Sequence, residues 1–137
     1  MSRLREKRLL SSKAELFDCM DFIRPLLEEN NVPQKAIYTA ELVLEEIVTN
    51  VFRYGFVDPA TAVIEVELGL QENRLDLCFK DNGIPFNPTE SPEPSIPLTA
   101  ADAPIGGLGL KMIRKSVSTM HYKRLKDENS LEITIEF

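Results

Sequence analysis

After the longest periodic stretch of this chain the apolar period changes from that of a helix to that of a strand, and that change limits the folds open to it. From Pro33 to Tyr54, Ile37, Ala40, Leu44, Ile47, Val48 and Val51 recur three or four residues apart. This is one face of a long helix. Gly55 follows, where a C-terminal cap glycine belongs. Beyond it the period becomes two. Ile64, Val66 and Leu68 alternate with Glu65 and Glu67, and Leu75, Leu77 and Phe79 alternate with Asp76 and Cys78. The alternation predicts a hairpin turning around residues 69–73 with one face buried. A second alternating pair, residues 120–125 and then Leu131, Ile133, Ile135 and Phe137, is separated by a Lys-Asp-Glu-Asn turn.

Two further helices complete the pattern. Ser12 followed by Glu15 has capping-box spacing and opens a helix over residues 14–29, with Leu16, Phe17, Met20, Ile23 and Leu27 on one face. Pro25 inside it should kink it or remove a backbone bond. Asn30-Asn31 ends it, and Pro33 suits the first turn of the next helix. Residues 108–118 form a third helix with Leu110, Ile113 and Val117 inward, while residues 3–10 read weakly as a strand.

With 137 residues the chain is long enough for one domain and one core, and 43% hydrophobic with 28% charged residues is globular composition. The net charge of −6 argues against a nucleic-acid backbone as partner, because neutralising phosphates needs a basic face. Arg3, Arg5, Lys7 and Arg8 make the first ten residues +3, leaving −9 on the rest, and this short basic arm reads as a solvated strand edge. Cys19, Cys78 and His121 have no metal-ligand spacing. Two unpaired cysteines suit a reducing compartment. No apolar run approaches the ~18 residues of a membrane span, and the basic start leads into no signal-peptide core. A soluble, cytoplasmic protein is expected.

The glycines locate the chemistry. Six of the nine prolines lie within residues 84–105, which fit neither period. Loops beyond ~15 residues in a compact domain are usually lids, binding loops or linkers, and a mobile lid is expected of this one. Gly83 stands before it and Gly106, Gly107 and Gly109 after it. Gly106-Gly107-Leu108-Gly109-Leu110 runs into a helix, so it is either a glycine-rich turn or a phosphate site at a helix N-terminus. Asp81-Asn82-Gly83 at a strand end is either a turn tip or a carboxylate that accepts from an exocyclic amine. Glu46 and Asn50 are ~40° apart on the long helix, beside its apolar stripe. They are either a solvated pair or a base beside a hard neutral oxygen suited to Mg²⁺. Glu45 lies ~140° from Asn50 and belongs to another face.

In this order, ELVLEEIVTNVFRYGF, DNGIPFNP and GGLGLKMIRKSVSTMHYKR resemble the N box and the two glycine boxes of the GHKL ATPase superfamily, the Bergerat fold. Among its members the chain most resembles the bacterial anti-sigma-factor serine/threonine-protein kinases. The boxes cover residues 41–124, and the flanks fit too, with a strand and helix before and a β-hairpin after. The resemblance implies an α+β two-layer sandwich, a mixed and mostly antiparallel sheet with three main helices on one face. It implies a single ATP-binding domain over residues 1–137 with ATP and Mg²⁺ as its ligands.

Residue by residue, the resemblance assigns Asn50 to Mg²⁺, Glu46 to the general base and Asp81 to the adenine amine. Gly83 would let the base approach the backbone. Gly106, Gly107, Leu108, Gly109 and Leu110 would form the phosphate-side loop under the lid, and Thr134 would support Asp81 through water. Tyr54, four residues after Asn50 and on the nucleotide side, stands where many relatives carry histidine. Ser118 stands where relatives often carry aspartate, which departs from the pattern of partner contact. The implied partners are an anti-anti-sigma (STAS-type) protein, phosphorylated on serine, and a sigma factor. A homodimer is also implied, with no direct nucleic-acid or membrane contact. A nucleotide-dependent binding module with little turnover is the alternative, and an ordinary α/β domain is a third. A histidine-kinase catalytic domain fits poorly, since no helix carries a phosphoacceptor histidine.

Overall fold

Each alternating segment of the sequence becomes a strand of one sheet in the computed structural model, which describes residues 4–90 and 107–137. The strands are β1 (Leu4–Leu10), β2 (Ile64–Gln71), β3 (Arg74–Asp81), β4 (Thr119–Leu125) and β5 (Glu128–Glu136), in the spatial order β1-β2-β3-β5-β4. The sequence leads to a mixed, mostly antiparallel sheet, and every pairing among the described residues is antiparallel. The helices are α1 (Lys13–Glu29), α2 (Gln34–Tyr54) and α3 (Gly107–Ser116).

The fold is α+β in two layers because one sheet face is apolar and the other is not. Val66, Leu68, Leu75, Leu77, Phe79, Leu131, Ile133 and Ile135 are buried with the helix stripes of α1 and α2 in one core. Fully burying a side chain of this size contributes about 1.5–3 kcal/mol, which makes this face the main stabiliser of the sheet. The opposite face carries alternating charges, with Arg5–Glu67 at 3.4 Å and Lys7–Glu65 at 3.3 Å. Such exposed pairs contribute little and serve mainly to keep that face wet. Among the described residues no helix is long and apolar enough to cross a membrane.

Local chemistry sets the element ends. Ser12 caps α1, its hydroxyl accepting from Glu15 N at 3.2 Å, but the carboxylate of Glu15 takes Ser11 N at 2.7 Å, one residue upstream of a capping box. The helix runs unbroken through Pro25, which faces solvent, where water can satisfy the carbonyl its ring leaves unbonded. Pro33 is the N-cap of α2, just outside the first turn. The β2–β3 turn is tighter than residues 69–73: Gln71 pairs with Arg74, and Gly69 lies inside β2. The last hairpin is tighter as well. Leu125 pairs with Glu128 across Lys126 and Asp127, Lys126 taking a positive φ of 56°, so Glu128 and Asn129 belong to β5 and not to the turn. α3 ends at Ser116, before Val117 and Ser118. Ser118 ties that exit to β5, its N–H donating to the Thr134 carbonyl at 2.8 Å and its hydroxyl accepting from Glu136 N at 2.9 Å.

Candidate functional site

The C-terminal half of α2, the end of β3 and the start of β5 converge on one cleft. Its apolar walls come from Ile47 and Val51 of α2, Phe79 and Leu131 of the sheet, and Ile84 and Pro88 of the segment after β3. Its polar groups are Asn50, Asp81, Tyr122 and Asn129. Asn50, Asp81 and Asn129 are at most 8% exposed, although all are polar. Buried polar groups cost free energy unless bonded, so their partners define the site.

Asn50 Nδ2 donates to the Glu46 carbonyl at 2.7 Å. This bond along the helix holds the amide against α2 and leaves Oδ1 as its acceptor. Asp81 closes β3, on the same face as Leu75, Leu77 and Phe79. Its Oδ1 accepts from Gly83 N at 2.8 Å and from Asn129 Nδ2 at 3.0 Å. Two protein donors on one oxygen leave Oδ2 for a donor from the cleft. Asn129 Nδ2 also donates to the Ile84 carbonyl at 2.8 Å, and the Tyr122 hydroxyl donates to Asn129 Oδ1. Arg124 donates to the Gly83 carbonyl at 2.7 Å.

Glycine is required at three close approaches. A Cβ on Gly83 would collide with the Gly55 carbonyl oxygen, and Ile84 N donates to that same oxygen at 2.7 Å. Gly55 itself is right-handed (φ −79°), so it is no left-handed cap. A Cβ there would lie 2.6 Å from the Val51 carbonyl oxygen. Gly83→Ala should therefore drive α2 and the end of β3 apart, costing about 1–3 kcal/mol. Thermal unfolding should show a fall of several degrees, and an unchanged melting temperature would contradict this packing. The third approach is Gly109, where a Cβ would collide with the carboxyl group of Glu46. Glu46 is thus pressed against the first turn of α3. Burial there pushes its carboxyl above the usual glutamate range, Glu45 adds to the rise, and Arg53 opposes it.

The candidate residues divide accordingly. Asn50 and Asp81 line the cleft, Gly83 is buried beside Asp81 and bonded to it, and Glu46 meets Gly109 one turn away along α2. Gly107 and Leu108 open α3. Leu110 is 4% exposed and belongs to the core. Gly106 and residues 91–105 of the expected lid lie outside the described residues. The described start of that segment, 84–90, forms a wall of the cleft and ends in a short 3-10 turn at Pro88–Glu90. Tyr54 is 43% exposed and is not part of the cleft wall.

Thr134 requires a correction. It pairs with Asp76, whose Oδ1 accepts from its hydroxyl at 3.2 Å, and both lie on the charged face of the sheet. Asp81 is five positions further along β3 and on the opposite face. Asn129 is the β5 residue paired with Asp81. The sequence did carry a signal for it: continuing the alternation of Ile135, Ile133 and Leu131 back by one step puts Asn129 on the helix-facing side.

This two-layer sheet-and-helix domain has a cleft with a buried carboxylate and a buried amide, and beside it the glycine-opened start of α3 packs against Glu46. A family model described as the histidine kinase-like ATPase domain matches residues 11–135, and the chain belongs to that family. It is also similar to the serine/threonine-protein kinase BtrW of Bordetella bronchiseptica, 28% identical over 97 residues, or 71% of this chain and 68% of that protein. It is accordingly an ATPase domain of kinase-like type, and membership implies an ATP site.

Proposed function

We propose that this chain binds Mg·ATP in the cleft and phosphorylates a serine of a partner protein, acting as an anti-sigma factor released by its antagonist. The observation that carries this reading is the placement of the Glu46 carboxylate against the first turn of α3, one helical turn from the Asn50 amide and beside the cleft that holds Asp81. The kinase name of BtrW supports phosphoryl transfer. The box resemblance supports a STAS-type anti-anti-sigma protein as substrate and a sigma factor as the other client.

The residues present fit both ligands. Asp81 Oδ2 would accept the exocyclic amine of adenine, and the absence of a side chain at Gly83 lets the base lie close to the backbone. The orphan N–H groups at the start of α3 would meet the phosphates. Asn50 Oδ1 is a hard neutral oxygen, suited to a magnesium ion that keeps most of its coordination on phosphates and water. When bound, the ion would offset the charge of the phosphates. Phosphoryl transfer otherwise asks the protein mainly for positioning. Glu46 would accept the proton of the serine hydroxyl as its oxygen bonds to the γ-phosphorus and the bond to the ADP oxygen breaks.

Incubating the chain with γ-labelled ATP, magnesium and a STAS-type antagonist should label that antagonist on serine. ATP-dependent complex formation without label would instead make this a nucleotide-gated binding module. The pH dependence should carry the mark of Glu46. Only the ionised carboxylate accepts a proton, so the rate should fall as pH drops through its raised value, placing the acid limb above the ordinary 4.5. In the same window the folded state binds more protons than the unfolded chain. The contribution of Glu46 to stability should therefore be greatest below the window and decline as pH rises through it. An acid limb at the ordinary glutamate position would contradict this.

A further inference from the structure

Asn129 occupies a bonding position with only one consistent orientation. Its amide faces two pure acceptors, Asp81 Oδ1 at 3.0 Å and the Ile84 carbonyl at 2.8 Å. Both must be met by the NH₂ end, since turning the amide over would set its oxygen against theirs. The amide oxygen then points to β4 and needs a donor there. That donor is the Tyr122 hydroxyl. Asn129 is 6% exposed, so without this hydroxyl the oxygen would be left with little access to water.

We propose that Tyr122 is the residue that sets purine specificity at this site, acting through Asn129 to fix which oxygen of Asp81 faces the cleft. This rests on the adenine-reading role proposed for Asp81. Tyr122 satisfies the Asn129 oxygen, the Asn129 NH₂ and Gly83 N together occupy Asp81 Oδ1, and Oδ2 is left as a fixed acceptor. Such an acceptor welcomes the amine of adenine and repels the carbonyl that guanine presents at the same place. Tyr122 is thus a positioning residue, reaching Asp81 through two hydrogen bonds. Once its hydroxyl is removed, the buried amide oxygen can regain a partner only by rotating toward water. That rotation draws the NH₂ away from Asp81 and frees the carboxylate to turn.

The test uses the full chain and three triphosphates: ATP, GTP, and the purine riboside triphosphate that lacks the exocyclic amine. Tyr122→Phe keeps the ring and removes only the donor. ATP affinity by calorimetry should fall about tenfold, equivalent to ~1.4 kcal/mol, while affinity for the amine-free analogue changes less than twofold and the ATP-to-GTP ratio shrinks. Equal losses for ATP and the analogue, as a purely structural role would give, overturn the proposal; so does no loss for either. Asn129→Ala should show the same selective loss, and adding Tyr122→Phe to it should cost nothing more. If Tyr122→Phe proves too unstable to assay, an equal loss for both nucleotides in Asn129→Ala overturns the relay. Asp81→Asn separates this from the reading beneath it. If that variant binds ATP like the parent, the adenine assignment itself fails. If it loses ATP while Tyr122→Phe does not, only the role of Tyr122 fails.

Discussion

Glu46→Gln should lower phosphate transfer to the antagonist by about 10²–10⁴, the range a positioned base supplies, with ATP affinity held within about twofold. The expected split between rate and binding follows from where the side chain sits. Gln has nearly the shape of Glu, so the contact with the glycine of α3, where no Cβ could fit, is kept. Asn50 bonds to the backbone carbonyl of residue 46 and not to its side chain, so the amide orientation survives as well. What is lost is the capacity to take a proton. The acid limb attributed to Glu46 should vanish from the residual rate. Single-turnover labelling beside a nucleotide titration measures both quantities on one preparation. Transfer at the parent rate would remove Glu46 from the chemistry, and a parallel loss of affinity would mean that its carboxylate is part of the nucleotide site.

The reach and the limit of sequence reading both follow from periodicity. Strands β2 and β3 were legible because one sheet face is buried, and a one-residue slip would expose every apolar side chain. The long helix was legible for the same reason at a different period. Side chains whose role depends on tertiary pairing were harder to place. Asn129 sits among Lys, Asp and Glu in a run with turn chemistry, and local composition drew it into the turn. Only the strict alternation of β5, which resumes as soon as Lys126 and Asp127 have reversed the chain, puts it opposite Asp81. Thr134 illustrates the converse error. It lies on the expected strand, but on the side of the sheet away from the cleft, where it bonds Asp76. Gly55 was legible as the end of a helix. The reason for Gly83 was not, because the Gly55 carbonyl oxygen that a Cβ there would strike is twenty-eight positions away.

Asp81→Asn should weaken ATP binding by about 10–150-fold, the loss of a charge-assisted hydrogen bond of roughly 1.5–3 kcal/mol. An asparagine still has one oxygen, and the loss would be milder if that oxygen served the adenine amine. The network argues against it. Gly83 N and Asn129 Nδ2 both donate to the present Oδ1, and they need an acceptor there whatever residue 81 is. The oxygen of the new amide is held on that side, and its NH₂ takes the place of Oδ2. Toward the cleft the variant thus presents a donor where adenine also presents a donor. The same NH₂ suits a carbonyl, so GTP should lose far less than ATP, and the ATP-to-GTP preference should narrow or reverse. Calorimetry with both nucleotides, alongside a melting curve to verify the fold, decides it. Equal loss for the two would mean that residue 81 holds the cleft together without reading the base.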